Sequence, residues 1–132
     1  MFKNPVFNLS GVGYLHEIVR KDQTIVARIN IINKFNSSNE RSDDIWLDAH
    51  VKDNDLLQLL VDFEKNLQLK KTVILHFEAG YSGLDCCHLG LTEDDPWHIV
   101  KMQGQLFRLN EYYIDGVHHH AHPLIQSIAV GA

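Results

Sequence analysis

Aromatic rings interleaved with cations and amides along extended segments are the groups with which a protein surface grips flat bases and the phosphates joining them. The chain carries such a pattern at Trp46, His50 and Lys52, again at Arg28 and Asn30, and again at Arg108, Tyr112 and Tyr113. Stacking on such rings is worth about 1–3 kcal/mol per base, and cations that follow the phosphates add a salt-dependent part. The same rings could instead pack a dimer interface or close the ends of the fold. Asp48 interrupts the first group with a negative charge, where a phosphate-tracking surface would favour a base.

Other residue groups carry weaker chemistry. The run HHHAH, His118 to His122, has a spacing that chelates a divalent ion, but a loose tail does so adventitiously, and the sequence places no carboxylate or thiol beside it. Cys86, Cys87 and His88 are consecutive, so their side chains diverge, and no third group orients them as a nucleophile and base. Glu93, Asp94 and Asp95 match no calcium-loop spacing and read as the start of a turn before Pro96. GVG at Gly11 to Gly13 is too short to be a phosphate loop. The residues thus imply no catalytic group, no metal site and no cofactor.

These side chains need elements to hold them. Val6 to Arg20 reads as a first strand, with Gly11 and Gly13 permitting strong coiling or a bulge. Thr24 to Asn33 alternates, with Ile25, Ala27, Ile29 and Ile31 on one side and Val26, Arg28, Asn30 and Ile32 on the other, outward side. A polar loop, Lys34 to Asp44, leads to a third strand in which Ile45, Leu47, Ala49 and Val51 point inward and Trp46, Asp48, His50 and Lys52 outward. Asp53, Asn54 or Asp55 caps a helix whose Leu56, Leu57, Leu59, Leu60, Phe63 and Leu67 form one apolar stripe.

Lys70 and Lys71 complement the negative end of that helix, and Thr72 to Ala79 forms the fourth strand. Gly80 to Trp97 reads as a long irregular loop, and the fifth strand starts near His98 with a bulge expected at Gly104. Three strands, a helix and two further strands predict a mainly β fold, a five-stranded OB-type barrel with one α-helix between strands 3 and 4. The barrel is expected over residues 1–116, followed by a His-rich and then apolar tail over 117–132.

Composition fits one domain with a real core: 132 residues, 45% of them hydrophobic and 22% charged. A net charge of −5 argues against coating duplex DNA through bulk positive charge, leaving room only for a local groove. Only two cysteines, adjacent to each other, argue against a disulfide framework. The apolar runs are short, and MFKNPVFN lacks the build of a secretory signal, so a cytoplasmic protein with no membrane partner is expected.

The third strand, helix and fourth strand, with Trp46 leading and KKTVILHFE closing, resemble the bacterial single-stranded DNA-binding proteins. FNLSGVGYLHEIV and MQGQLFRLNEYYIDG resemble an uncharacterised family of small proteins encoded on integrating conjugative elements, over roughly residues 6–116. The pair of resemblances implies a bacterial OB-like protein of a mobile element that handles the single strand formed in transfer or replication. The chain lacks the acidic, aromatic-ended tip by which bacterial single-strand binders recruit partners.

Two expectations follow. The first is a non-enzymatic, single-stranded nucleic-acid-binding protein that uses Arg28, Asn30, Trp46, His50, Lys52, Arg108 and Tyr112. The second is an OB-like interaction module that forms homo-oligomers or docks a transfer or replication protein without binding DNA.

Overall fold

The computed structural model describes residues 8–32, 43–89 and 98–120. Its elements are β1 (Asn8–Lys21), β2 (Thr24–Ile31), β3 (Asp43–Val51), α1 (Asn54–Gln68), β4 (Val73–Leu89), β5 (His98–Ile114) and β6 (Val117–His119). β1, β2 and β3 form an antiparallel meander, β4 pairs antiparallel with both β1 and β5, and β5 closes the ring by running parallel to β3. The ring β1-β2-β3-β5-β4, with its helix between β3 and β4, is a five-stranded OB-type barrel.

Alternation places the core. Ala27 and Ile29 from β2, Leu47, Ala49 and Val51 from β3, Val73, Leu75, Phe77 and Ala79 from β4, and Leu106 and Leu109 from β5 are all buried. Val26 departs from the expected outward row. It is buried between Val19 and His50, its register partners on the two flanking strands.

The helix closes one end of the barrel. Of the three possible caps, Asp53 is the one used, its Oδ1 accepting from the backbone N–H groups of Asp55 and Leu56 at 2.9 and 3.1 Å. Leu56, Leu60 and Phe63 are buried under it, with Leu57, Leu59 and Leu67 partly so. At the other end the N–H groups of Lys70 and Lys71 donate to the carbonyls of Leu67 and Asn66, a Schellman arrangement with Lys70 in the left-handed region at φ 61°. Lys70 therefore stands where glycine costs least, a role beyond the charge complement expected of it.

Two segments differ from expectation. Gly80 to Leu89 is not irregular: β4 runs on through it, paired with β5 as far as Leu89 opposite His98. Four register shifts, two with the extra residue on each strand, bend this long pair around the barrel, and one falls on β4 between Tyr81 and Gly83, opposite Gly104. Gly104 itself permits close approach, because a Cβ there would lie 2.6 Å from the Gly80 carbonyl oxygen. The acidic group Glu93, Asp94 and Asp95 lies outside the described residues.

The second difference follows Ile114. Asp115 and Gly116 both take positive φ, 49° and 80°, and turn the chain into β6, which pairs with Tyr112 to Ile114. The expected boundary at Gly116 thus falls inside a hairpin, and His118 and His119 belong to the sheet. His122 and the apolar end of the chain lie outside the described residues. No helix among the described residues is long and apolar enough to cross a membrane.

Candidate ligand-binding groove

On the outer face of β2 and β3 the register sets Arg28 beside Asp48 and Asn30 beside Trp46. Asp48 is only 3% exposed, and a carboxylate so placed needs charged or hydrogen-bonding partners. It has them: Arg28 Nε donates to Oδ1 at 3.1 Å, while Lys101 Nζ lies 3.6 Å from Oδ2. Arg28 also reaches Glu17 through NH1 at 2.5 Å. The hydrogen bond to Asp48, ahead of the opposing desolvation, holds the guanidinium pKa above its usual value.

The network extends along β5. Gln103 Nε2 donates to Asp85 at 2.9 Å and approaches Asp48 at 3.4 Å, and Gln103 Oε1 lies 2.8 Å from His50 Nε2. His50 is thereby tied into the charge network.

A bulge builds the aromatic part of the site. Between Leu15 and Glu17 the β1–β2 register slips, so His16 is the extra residue on β1. Its ring meets Trp46 edge to face, with centroids 5.3 Å apart and planes at 83°. Two depressions share this pair. One, of about 390 Å³, is lined by Tyr14, His16, Asn30, Trp46, Lys71 and Thr72 among others. The other, of about 270 Å³, is lined by His16, Glu17, Arg28, Trp46, Ile99 and Lys101.

Trp46 is half-buried and Tyr14 is 44% exposed, and the two depressions adjoin at His16 and Trp46, with Lys71 lining one and Lys101 the other. Asn30 Nδ2, in the lining of the first, is buried and has no hydrogen-bond partner among the described residues. Such an arrangement can hold an extended, flat-ringed ligand by stacking.

The seven residues named from sequence separate into groups. Arg28, Asn30 and Trp46 come together in the groove, and His50 sits beside it through Gln103. Lys52 is exposed just past the end of β3. Arg108 is paired with Glu78 on the β4–β5 face at 3.5 Å. Tyr112 packs edge-on against Phe63, centroids 4.9 Å apart, on the core side under the helix, where desolvation raises its phenol pKa. Sequence reading missed Tyr14, His16, Lys71, Ile99 and Lys101. Tyr14 was recoverable from alternation with Leu15; His16 required the bulge, and Lys101 the parallel closure on β3.

Comparison with protein-family models, with curated proteins and with solved structures returns no match to this chain.

Proposed function

We propose that the groove between Lys71 and Lys101 binds single-stranded nucleic acid without sequence preference and without catalysis. The observation that carries this reading is the Trp46–His16 pair standing in an open groove beside Tyr14, with Lys71 at one end and Lys101 at the other. Bases stack on rings of any sequence, and OB-type barrels commonly present such a face. The setting proposed, transfer or replication of a bacterial conjugative element, rests on the sequence resemblances alone, and a cytoplasmic location rests on the short apolar runs and the lack of a secretory pattern.

Binding should be led by stacking more than by charge. Arg28 is committed to Glu17 and Asp48 and Lys101 to Asp48, which leaves the exposed Lys71 as the cation best placed for a phosphate. For single strands the logarithm of affinity falls with the logarithm of salt by about 0.7 per phosphate contacted, so one contact gives a slope of about −0.7. In a Trp97→Phe background, a mixed-sequence oligonucleotide should quench Trp46 fluorescence with that shallow salt dependence. Trp46→Ala should weaken binding by about 1–3 kcal/mol. No binding of a long oligonucleotide at low salt would end this reading.

The same charge compensation favours a second reading, an interaction module without affinity for DNA. Arg28 and Arg108 both face carboxylates, and Leu84, Ile99 and Phe107 are exposed apolar groups on the β4–β5 hairpin. It requires a native mass above 15.2 kDa, or a defined transfer or replication partner, with Trp46 emission insensitive to oligonucleotide.

A further inference from the structure

Register partners on neighbouring strands stand abreast, so a row of them marks a path across the sheet, square to the strands. One such row runs unbroken around the outside of the barrel. Lys101 on β5 stands abreast of Trp46 on β3, Trp46 of Asn30 on β2, and Asn30 of Tyr14 on β1. The row then crosses β4 at Ile74, returns to β5 at Tyr113 and ends on β6 at His118. It meets β5 twice because barrel strands are tilted, and a path square to them climbs as it goes round. Every member keeps part of its surface exposed.

The first half of the row is the groove, where Trp46, Asn30 and Tyr14 line one depression with Lys71 and Thr72. The second half carries a ring cluster of its own. The Tyr113 ring meets those of His76 and His118, with centroids 5.6 and 5.0 Å away, and His120 meets His118 edge to face at 4.9 Å. Glu111 is in the same patch, but both its oxygens are engaged, one 3.3 Å from His76 Nδ1 and the other 2.7 Å from His118 Nε2.

We infer that the single strand held in the groove continues along this row, over Ile74, to stack on Tyr113 and His118 of the β5–β6 hairpin; the inference rests on the nucleic-acid reading above. Rings at Trp46, Tyr14 and Tyr113 fall on every second strand, about 10 Å apart at the level of the backbone. Asn30 and Ile74, between them, are uncharged. No carboxylate belongs to the row, in a chain whose net charge is −5. The outward positions on one flank hold Glu17 and Asp48, and those on the other hold Glu111, so a phosphate chain meets least repulsion by keeping to the row.

The alternative is that Tyr113 and its histidines only stiffen the hairpin by packing across strands. The two differ in how a loss of affinity depends on ligand length. The experiment is a fluorescence-anisotropy titration of the full-length protein with labelled oligothymidylates graded from about 4 to about 16 nucleotides, the range of OB-fold site sizes. The parent is compared with Tyr113→Ala, Tyr113→Phe, His118→Ala and His119→Ala, the folding of each verified by circular dichroism. Affinity of the parent should rise with length until the row is spanned.

Tyr113→Ala should bind the shortest strands, which fill only the groove, as the parent does, and should lose at least about fivefold on the longest, the lower end of what one stacked base contributes. His118→Ala should show the same dependence on length and keeps the test open if Tyr113→Ala does not fold. Tyr113→Phe retains the ring, and His119 faces the other way, stacked on Tyr112 with centroids 4.8 Å apart, so both variants should match the parent throughout. Equal losses at every length, as a structural role requires, or no loss at any length, would overturn the path and leave the groove. Failure of the parent to bind even the longest strand would remove the nucleic-acid reading and the path with it.

Discussion

Asp48 and Glu111 hold comparable positions on two outer patches of one barrel, each in the middle strand of three and each reached by groups from both neighbours. Asp48 is nearly sealed, with Arg28 and Lys101 as partners. Glu111 is a third exposed, with imidazoles as partners. A buried carboxylate between permanently charged groups has fixed company and serves to hold three strands in register. An open carboxylate held by partly exposed imidazoles has company that solvent can replace. The burial and the charge of the neighbours, more than the acidic residue itself, decide how much each carboxylate holds in place.

That division can be broken by mutation, and the largest effect belongs to Asp48. Asp48→Ala leaves Arg28 and Lys101 partly desolvated without their shared partner, and unfolding in urea should show a loss of about 3 kcal/mol, near the lower end for a broken buried pair because Arg28 keeps Glu17. Should the loss prove negligible, Asp48 would be as replaceable as a surface acid. Glu111→Gln, in contrast, should cost under about 1 kcal/mol, the range of exposed pairs.

A third carboxylate sharpens the comparison by pairing exposure with a permanent cation. Glu64 on α1 receives two hydrogen bonds from Arg20 on β1, and those bonds lower its pKa. A depressed folded-state pKa contributes stability above the unfolded value that disappears as pH falls through the folded one. The stability difference between the parent and Glu64→Gln should therefore be level near neutrality and shrink to nothing in acid below the usual carboxylate range. A difference that grew in acid would contradict the pairing.

The smallest effect concerns the backbone. Lys70→Gly should stabilise the protein by at most about 1 kcal/mol, read as a small rise in the urea midpoint, because glycine enters the left-handed region without a Cβ penalty.

Much of the fold was legible in local pattern. The alternation in Thr24 to Ile31 and in Ile45 to Val51 gave two barrel walls, and the leucine stripe gave the helix that closes one end. The extension of β4 was hidden because Gly80, Ser82 and Gly83 look like loop formers. In the barrel the Phe107 ring lies over Gly80, close enough that a Cβ would be 2.8 Å from its Cζ, and the bulges absorb the irregularity. The hairpin into β6 was announced by Asp115-Gly116, a strong turn dipeptide, but the histidines after it drew the reading toward a loose tail.

The groove was half legible. Arg28, Asn30 and Trp46 share a face by simple alternation, whereas Lys71 and Lys101 reach it only through pairings distant in sequence. β5 carries two one-residue register shifts, at His76/Phe77 and Glu78/Ala79 of its partner, so that the even-numbered Met102 and Leu106, then Leu109, then the even-numbered Tyr112 and Ile114 face the core. The two shifts cancel, and parity counted from the start of that strand places Tyr112 on the core side, where it lies.

The extra residue at His16 has a similar consequence for β1. Before it, odd-numbered positions such as Leu9 and Leu15 face the core; after it, the even-numbered Ile18 does. His16 is thus a phase shifter as well as half of an aromatic pair. Shortening the chain by that one residue would let Leu15, Glu17 and Ile18 pair with Ile29, Arg28 and Ala27 without a slip, keeping Leu15 and Ile18 on the core side while removing the ring that stands against Trp46.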